Sequence, residues 1–247
     1  MSRRRTYLTF FLLLICAPVA VWNIAYPSAS WRYKMTVVVE TPEGIKTGSA
    51  VRQVTVRREP ELTPETTSHV NLKGEAVVVD LGKRGVLYAL LSSGGSDWYG
   101  ESIVFRVFPI PGQSGGGTTR KGIKYYKYLQ AGPKELTPDL YPMFVTFRDP
   151  NDFKSIQPVY SRTNGQIVPA YSQFPPPANA PDFEDVFGAG VSLQSVTIEM
   201  TFAPITRKIE AYLPSFNEES GYMEWFKTLK TGDPRKIYST DFKHGVW

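Results

Sequence analysis

The sequence predicts a β-rich α+β fold: a mainly antiparallel sheet domain with a few short helices, preceded by one N-terminal transmembrane or signal helix. Three observations carry this. Residues 7–26 hold no charged side chain. Several later segments alternate apolar and polar residues with a period of two, as strands with one buried face do. Clusters of glycine, proline and serine separate those segments, while apolar patterns at helical spacing are few and short. With 42% hydrophobic and 21% charged residues over 247 positions, the chain is neither disordered nor a multi-span membrane protein. Residues 1–30 therefore read as the membrane anchor or signal peptide and 31–247 as one exported domain.

The apolar segment comes first. Twenty residues at about 1.5 Å each span about 30 Å, the hydrocarbon thickness of a bilayer, whereas a signal-peptide core runs to roughly 7–15 residues. Tyr7 at one end and Trp22 and Tyr26 at the other stand where interfacial aromatics belong. Arg3, Arg4 and Arg5 precede the segment, which keeps the N-terminus cytoplasmic and sends the domain to the periplasm, although Arg32 and Lys34 soften the asymmetry. The competing reading is cleavage: Ser28, Ala29 and Ser30 place small residues where signal peptidase prefers them, and a cut after Ser30 gives a soluble periplasmic protein. Segment length favours the retained single-pass anchor, with inner-membrane lipid around residues 7–26. Both routes export the domain.

Strands dominate the exported chain. Tyr33, Met35, Val37 and Val39 alternate with Lys34, Thr36, Val38 and Glu40. Pro42 and Gly44 fit the second and fourth positions of a type I turn, and Ala50, Val54 and Val56 offer a second inward row, with Arg52 the exception. The pair predicts a hairpin. Residues 76–81 and 86–91 are nearly continuous apolar runs joined by a turn at Gly82 and Gly85, the pattern of strands covered on both faces. "MFVTFRD" reads as a strand, and in "LQSVTIEMTF" Val196, Ile198, Met200 and Phe202 form one inward row. Helices are predicted at "RKGIKYYKYLQ", capped by Thr118 or Thr119, at "PITRKIEAYL", and where Tyr222, Trp225, Phe226 and Leu229 share a face. "SSGGSDWYG", "GQSGGGTT" and the proline-rich "YSQFPPPANAPDF" read as loops.

The stretches "YKMTVVVETPEGIKTGSAV", "GEAVVVDLGKRGVLYALL", "YPMFVTFRDPNDFKSIQPV" and "FGAGVSLQSVTIEMT" resemble an uncharacterised family of proteobacterial hypothetical proteins with one N-terminal apolar segment. The resemblance implies an envelope protein. It carries over no catalytic residue, cofactor or activity.

The formal charge of +5 looks basic, but removing Arg3, Arg4 and Arg5 leaves 25 Lys and Arg against 23 Asp and Glu, or +2. Nucleic acid is accordingly not an expected partner. Cys16, the single cysteine, sits in the apolar segment, so the domain forms no disulfide and no thiolate metal site. Gly112, Ser114 and Gly116 match G-x-S-x-G, with His244 later in the chain as a serine hydrolase would require. A nucleophile elbow needs a buried strand immediately before the serine, and Pro109 and Pro111 interrupt the approach, so a glycine-serine loop is the better reading. His69 and His244 have no companion histidine, Asp149, Asn151 and Asp152 lack the spacing of a calcium loop, and "DFED" at 182–185 reads as an exposed acidic turn.

No catalytic, cofactor or metal residue is assigned on these grounds, and an enzyme is not expected. In "RKGIKYYKYL" the cations Arg120, Lys124 and Lys127 line one helical face among tyrosines, a pattern better read as tyrosines packed on the sheet with the lysines in water, the alternative being contact with an anionic membrane surface. The function expected is that of a periplasmic domain, tethered to the inner membrane, that acts as an interaction or scaffold module for another envelope protein. The alternatives are a periplasmic small-ligand-binding protein and a serine hydrolase using Ser114 and His244.

Overall fold

Alternation along residues 28–58 builds a long antiparallel hairpin. β1 (Ser28–Glu40) and β2 (Lys46–Arg58) pair over twelve positions, from Ser28 opposite Arg57 to Val39 opposite Lys46. The turn between them closes with the Gly44 N–H donating to the Thr41 carbonyl at 2.8 Å. Every second residue of β1 from Ala29 to Val39 is buried, while Arg32, Lys34, Thr36 and Val38 lie half-buried on the other face. The computed structural model describes residues 25–59, 68–93, 96, 98–113, 115–163, 166–168, 176, 179–214 and 221–245. Among these, no helix is long and apolar enough to cross a membrane. Residues 7–24 of the expected anchor and most of the proline-rich loop lie outside them.

The hairpin sits in a six-stranded antiparallel sheet with the order β12-β3-β2-β1-β11-β6. Its other members are β3 (Ser68–Glu75), β6 (Lys134–Glu135), β11 (Ser192–Met200) and β12 (Lys243–His244). A second antiparallel sheet runs in the order β4-β5-β7-β8, from β4 (Val77–Asp80), β5 (Val86–Ala89), β7 (Phe144–Phe147) and β8 (Ile156–Val159). β9 (Ser161–Thr163) and β10 (Gln166–Val168) form a separate small hairpin. The expected β-rich, mainly antiparallel architecture with a few short helices is therefore the observed one.

Two hydrophobic cores flank the smaller sheet. Leu87 and Ala89 of β5 point to the core shared with β1, β2 and β11, whereas Tyr88 and Leu90 join Phe147, Phe226 and Phe242 on the other side. This is why residues 86–91 read as a nearly unbroken apolar run. β4, by contrast, is an edge strand rather than a central one. It presses on β2 so closely that a Cβ at Gly48 would come within 2.0 Å of the Val78 carbonyl oxygen.

α1 (Tyr99–Val107) and α2 (Arg120–Tyr128) cover the first core through Ile103, Val104, Val107, Ile123 and Tyr126. α3 (Phe183–Phe187), α4 (Tyr222–Thr228) and α5 (Ser239–Phe242) are shorter. α4 buries Tyr222 and Phe226 as their spacing predicts, with Trp225 half-buried.

Three further sequence expectations are corrected. The "DFED" stretch starts α3 instead of forming a turn: Asp182 caps it, accepting from the Asp185 N–H at 3.0 Å while the Asp185 carboxylate accepts from the Asp182 N–H. "PITRKIEAYL" holds only a 3₁₀ turn at Ile209–Ala211. Its backbone has other partners: Thr206 exchanges hydrogen bonds with Val51, and the Glu75 carboxylate takes the N–H groups of Lys208 and Ile209 at 2.9–3.1 Å. The inward row of β11 stops at Ile198, since Met200 is only half-buried and Phe202, past the strand end, is 82% exposed.

Arg52, the exception in the inward row of β2, points inward all the same and is completely buried. Its Nε donates to the Glu75 carbonyl at 3.0 Å, and Nη2 donates to the carbonyls of Ala89 at 3.2 Å and Leu90 at 3.4 Å. Nη1 lies 3.6 Å from the Met35 sulfur, and the guanidinium stands 6.0 Å from the centre of the Tyr33 ring. One side chain thus ties the end of β3 and the end of β5 to the centre of the large sheet. At the opposite end of the hairpin, Arg84 forks onto Glu43 with two 2.9 Å bonds and donates to the Phe187 carbonyl at 2.8 Å.

Each of these arginines can be tested. Arg52→Met leaves buried carbonyls without donors and is expected to cost about 2–4 kcal/mol of stability, read by urea unfolding. An unchanged midpoint would show that those carbonyls find other donors. The Arg84 hydrogen bonds hold the Glu43 carboxyl down at about 2. Because that value is depressed, the contribution of the pair is present above the ordinary carboxylate range and lost as pH falls toward about 2. Carboxyl NMR of Arg84→Gln is expected to show Glu43 titrating near the ordinary value of about 4.

Candidate functional site

Two recesses in the described surface combine exposed aromatic side chains with polar groups. The larger, about 610 Å³, opens where the start of β1, the end of β11 and the end of α2 meet. Its base is aromatic: Trp31 of β1 stacks near Tyr126 of α2, ring centres 5.3 Å apart, and Phe105 of α1 closes on both at 5.9 and 4.9 Å. Burial, with a smaller effect from Tyr125, pushes the Tyr126 phenol up to about 12, and its hydroxyl donates to the Phe108 carbonyl at 3.0 Å. The indole N–H of Trp31 is buried with no hydrogen-bond partner among the described residues. Arg32, Lys127, Gln53 and Gln130 bring polar groups to the rim, and Phe202 and Met200 bring apolar ones.

α2 begins where the Thr119 hydroxyl accepts from the Gly122 N–H at 3.0 Å, which settles the cap on Thr119 rather than Thr118. Gly122 is required there, because a Cβ would sit 2.1 Å from the Gly116 carbonyl oxygen. With Ile123 and Tyr126 turned inward, Arg120, Lys124 and Lys127 fall on the exposed face, joined by Lys121 and Tyr128. None of the four cations has an ion-pair partner among the described residues. Arg32 is held by Gln53 and by the carbonyls of Phe202 and Ala203, at 3.0–3.2 Å.

The smaller recess, about 310 Å³, lies between the start of α1 and the C-terminal segment. Trp98, at the N-cap of α1, is 65% exposed and Tyr238, at the N-cap of α5, is 49% exposed. Around them lie Glu101, Asp241, Thr240 and His244. The start of α1 is fixed from two sides: the Gly100 N–H donates to Leu91 at 2.9 Å, and the buried Tyr33 hydroxyl donates to the Gly100 carbonyl at 2.7 Å. A side chain at Gly100 would strike Leu72, 2.5 Å away. Burial raises the Tyr33 phenol above its ordinary range; Arg52 opposes that shift and Glu101 adds to it.

The sequence candidates separate in space. Ser114 lies outside the described residues; the residues before it form α1 and a turn at Pro111 and Gly112 rather than a buried strand. His244 pairs with Gly74 on β12 and lines the smaller recess. His69, five residues back along β3 and so about 17 Å away, is exposed, with Nε2 3.2 Å from Glu59. Among the described residues no group of three or more His, Cys, Asp or Glu is placed to hold a metal ion. Asp149 and Asp152 close a turn by accepting the N–H groups of Asn151 and Lys154, both at 2.9 Å.

Sequence reasoning did not find the smaller recess. α1 was hidden in a glycine-rich stretch, although Tyr99, Ile103 and Val107 recur at four-residue spacing and Glu101 falls in the first turn where helices favour an acid. α5 and β12 are four and two residues long, too short for any periodicity. No family model matches the chain, and neither the curated proteins nor the solved structures include a significant match.

The aromatic base of the larger recess makes a pH prediction. Tyr126 keeps its proton until about pH 12 in the folded chain, while an unfolded tyrosine loses it near 10. Stability is therefore lost as pH rises through that window. Tyr126→Phe is expected to make the alkaline loss of stability less steep, as measured by unfolding at a series of pH values between about 10 and 12.

Proposed function

We propose that the chain is a single-pass envelope protein, tethered in the inner membrane through residues 7–26, whose periplasmic domain works by binding another envelope protein rather than by catalysis. Support for retention of the tether comes from β1. Ser28, Ala29 and Ser30, the small residues that suit signal peptidase, are themselves strand residues opposite Arg57, Val56 and Thr55. Ala29 is buried. A cut after Ser30 would strip a well-paired end from the central hairpin. The resemblance to proteobacterial proteins with one N-terminal apolar segment points the same way.

Support for binding comes from the smaller recess, where Trp98 and Tyr238 stand exposed beside Glu101, Asp241 and His244. Exposed tryptophan and tyrosine around a recess are the side chains that most often anchor protein interfaces.

The test is site-specific photocrosslinking in cells. A photoreactive residue in place of Trp98 in the full chain is expected to give a discrete adduct, and the same residue in place of the exposed Lys154 none. Adducts from both positions alike, or from neither, would sink the proposed contact. The intact mass of the membrane-extracted protein reads the tether separately: a chain starting at Trp31 would overturn retention.

A further inference from the structure

The basic face of α2 is not accounted for by the stability of the fold. Arg120 and Lys121 occupy the first turn, the positively polarised end of a helix where cations are disfavoured, and no acid balances them there. Arg120, Lys124 and Lys127 recur at spacings of four and three, so they form a single stripe. All three are exposed, and none is neutralised by a carboxylate among the described residues. Beside the stripe stand two large apolar side chains in water, Tyr128 at 67% and Phe202 at 82% exposure. Lys127 and Phe202 line the same 610 Å³ cleft.

The position of this face is set by the chain. The cleft includes Ser30, Trp31 and Arg32, and Trp31 packs on Tyr126 of α2. The apolar segment ends at Tyr26, four residues before Ser30, so at most about 14 Å of extended backbone separates them. Cations, two exposed aromatic rings and an open cleft thus gather at the point where the domain meets its tether.

We propose that this face docks on the bilayer that holds the tether, with Arg120, Lys124 and Lys127 on anionic phospholipid headgroups, one headgroup entering the cleft, and Tyr128 and Phe202 at the level of the interface. The inference rests on the tethered topology proposed above. Cations next to anionic headgroups attract within a Debye length, and aromatic rings partition to the same depth. The docked domain lies down on the membrane instead of swinging from it.

The test uses the full chain in nanodiscs of phosphatidylcholine, with and without phosphatidylglycerol, read by amide hydrogen exchange over residues 120–132. Exchange is expected to slow only in the anionic discs and to recover at high salt. In Arg120→Gln/Lys124→Gln/Lys127→Gln the ratio of docked to free domain is expected to fall about a hundredfold, the effect of three surface cations, while exchange at the core residues Tyr88 and Phe242 stays unchanged. A lysine-to-arginine variant at positions 124 and 127 is expected to dock normally. Equal protection in both discs, or protection that survives the triple substitution, overturns the proposal. So does release by soluble glycerol phosphate, which would make the occupant a free phosphate. Intact mass of the disc-bound chain keeps the two readings apart: were the chain cut after Ser30, the tether would fail, and co-sedimentation of the released domain with anionic vesicles, compared against the triple variant, would decide the docking alone.

Discussion

A guanidinium with no access to water organises this domain. Burying Arg52 is costly unless its donors are met, and the groups that meet them are main-chain carbonyls at the ends of β3 and β5. Those carbonyls belong to two different sheets. The angle at which the small sheet meets the large one is therefore fixed by hydrogen-bond geometry as well as by apolar packing, which alone is indifferent to small slides. Gly74 shows how tight the arrangement is, since a Cβ there would come within 2.8 Å of the Arg52 side chain. Next to it, the buried Glu75 carboxylate turns outward from the same corner and gathers the backbone of Lys208 and Ile209. Two polar side chains thus connect both sheets and the segment after β11.

The same corner explains what could and could not be read from the sequence. Strand alternation was legible wherever one face is buried and the other wet, as along β1 and most of β11, because periodicity is a local record of a single face. Arg52 broke the pattern in β2 and looked like a defect. It is an inward residue whose partners lie 23 to 38 positions away, so nothing nearby in the sequence announces them. The lost helix at "PITRKIEAYL" fails for the same reason: its propensity is local, and the carboxylate that captures its N–H groups is 133 positions earlier.

The candidate surfaces divide along a similar line. The basic stripe on α2 was legible because helical spacing and a threonine cap are both local signals. That Lys127 shares a cleft with Phe202, or that Trp98 shares a recess with Tyr238 and His244, depends on pairings between distant segments, such as the two-residue bridge of β12 to β3. Phe202 was misread because alternation was continued past the strand end. The chain instead turns at that point, with Arg32 holding the carbonyls of Phe202 and Ala203, and leaves the ring outside.

The place of β1 in the large sheet also gives the domain a mechanical character. β1 leads directly from the chain that precedes it into an interior strand, flanked by β2 on one side and β11 on the other. Inter-strand hydrogen bonds run perpendicular to the strands. A tension applied at residue 26 along β1 therefore loads both ladders at once in shear, whereas the same tension on an edge strand would load only one. β1 is thus suited to bear a steady pull at the point where the chain enters the large sheet.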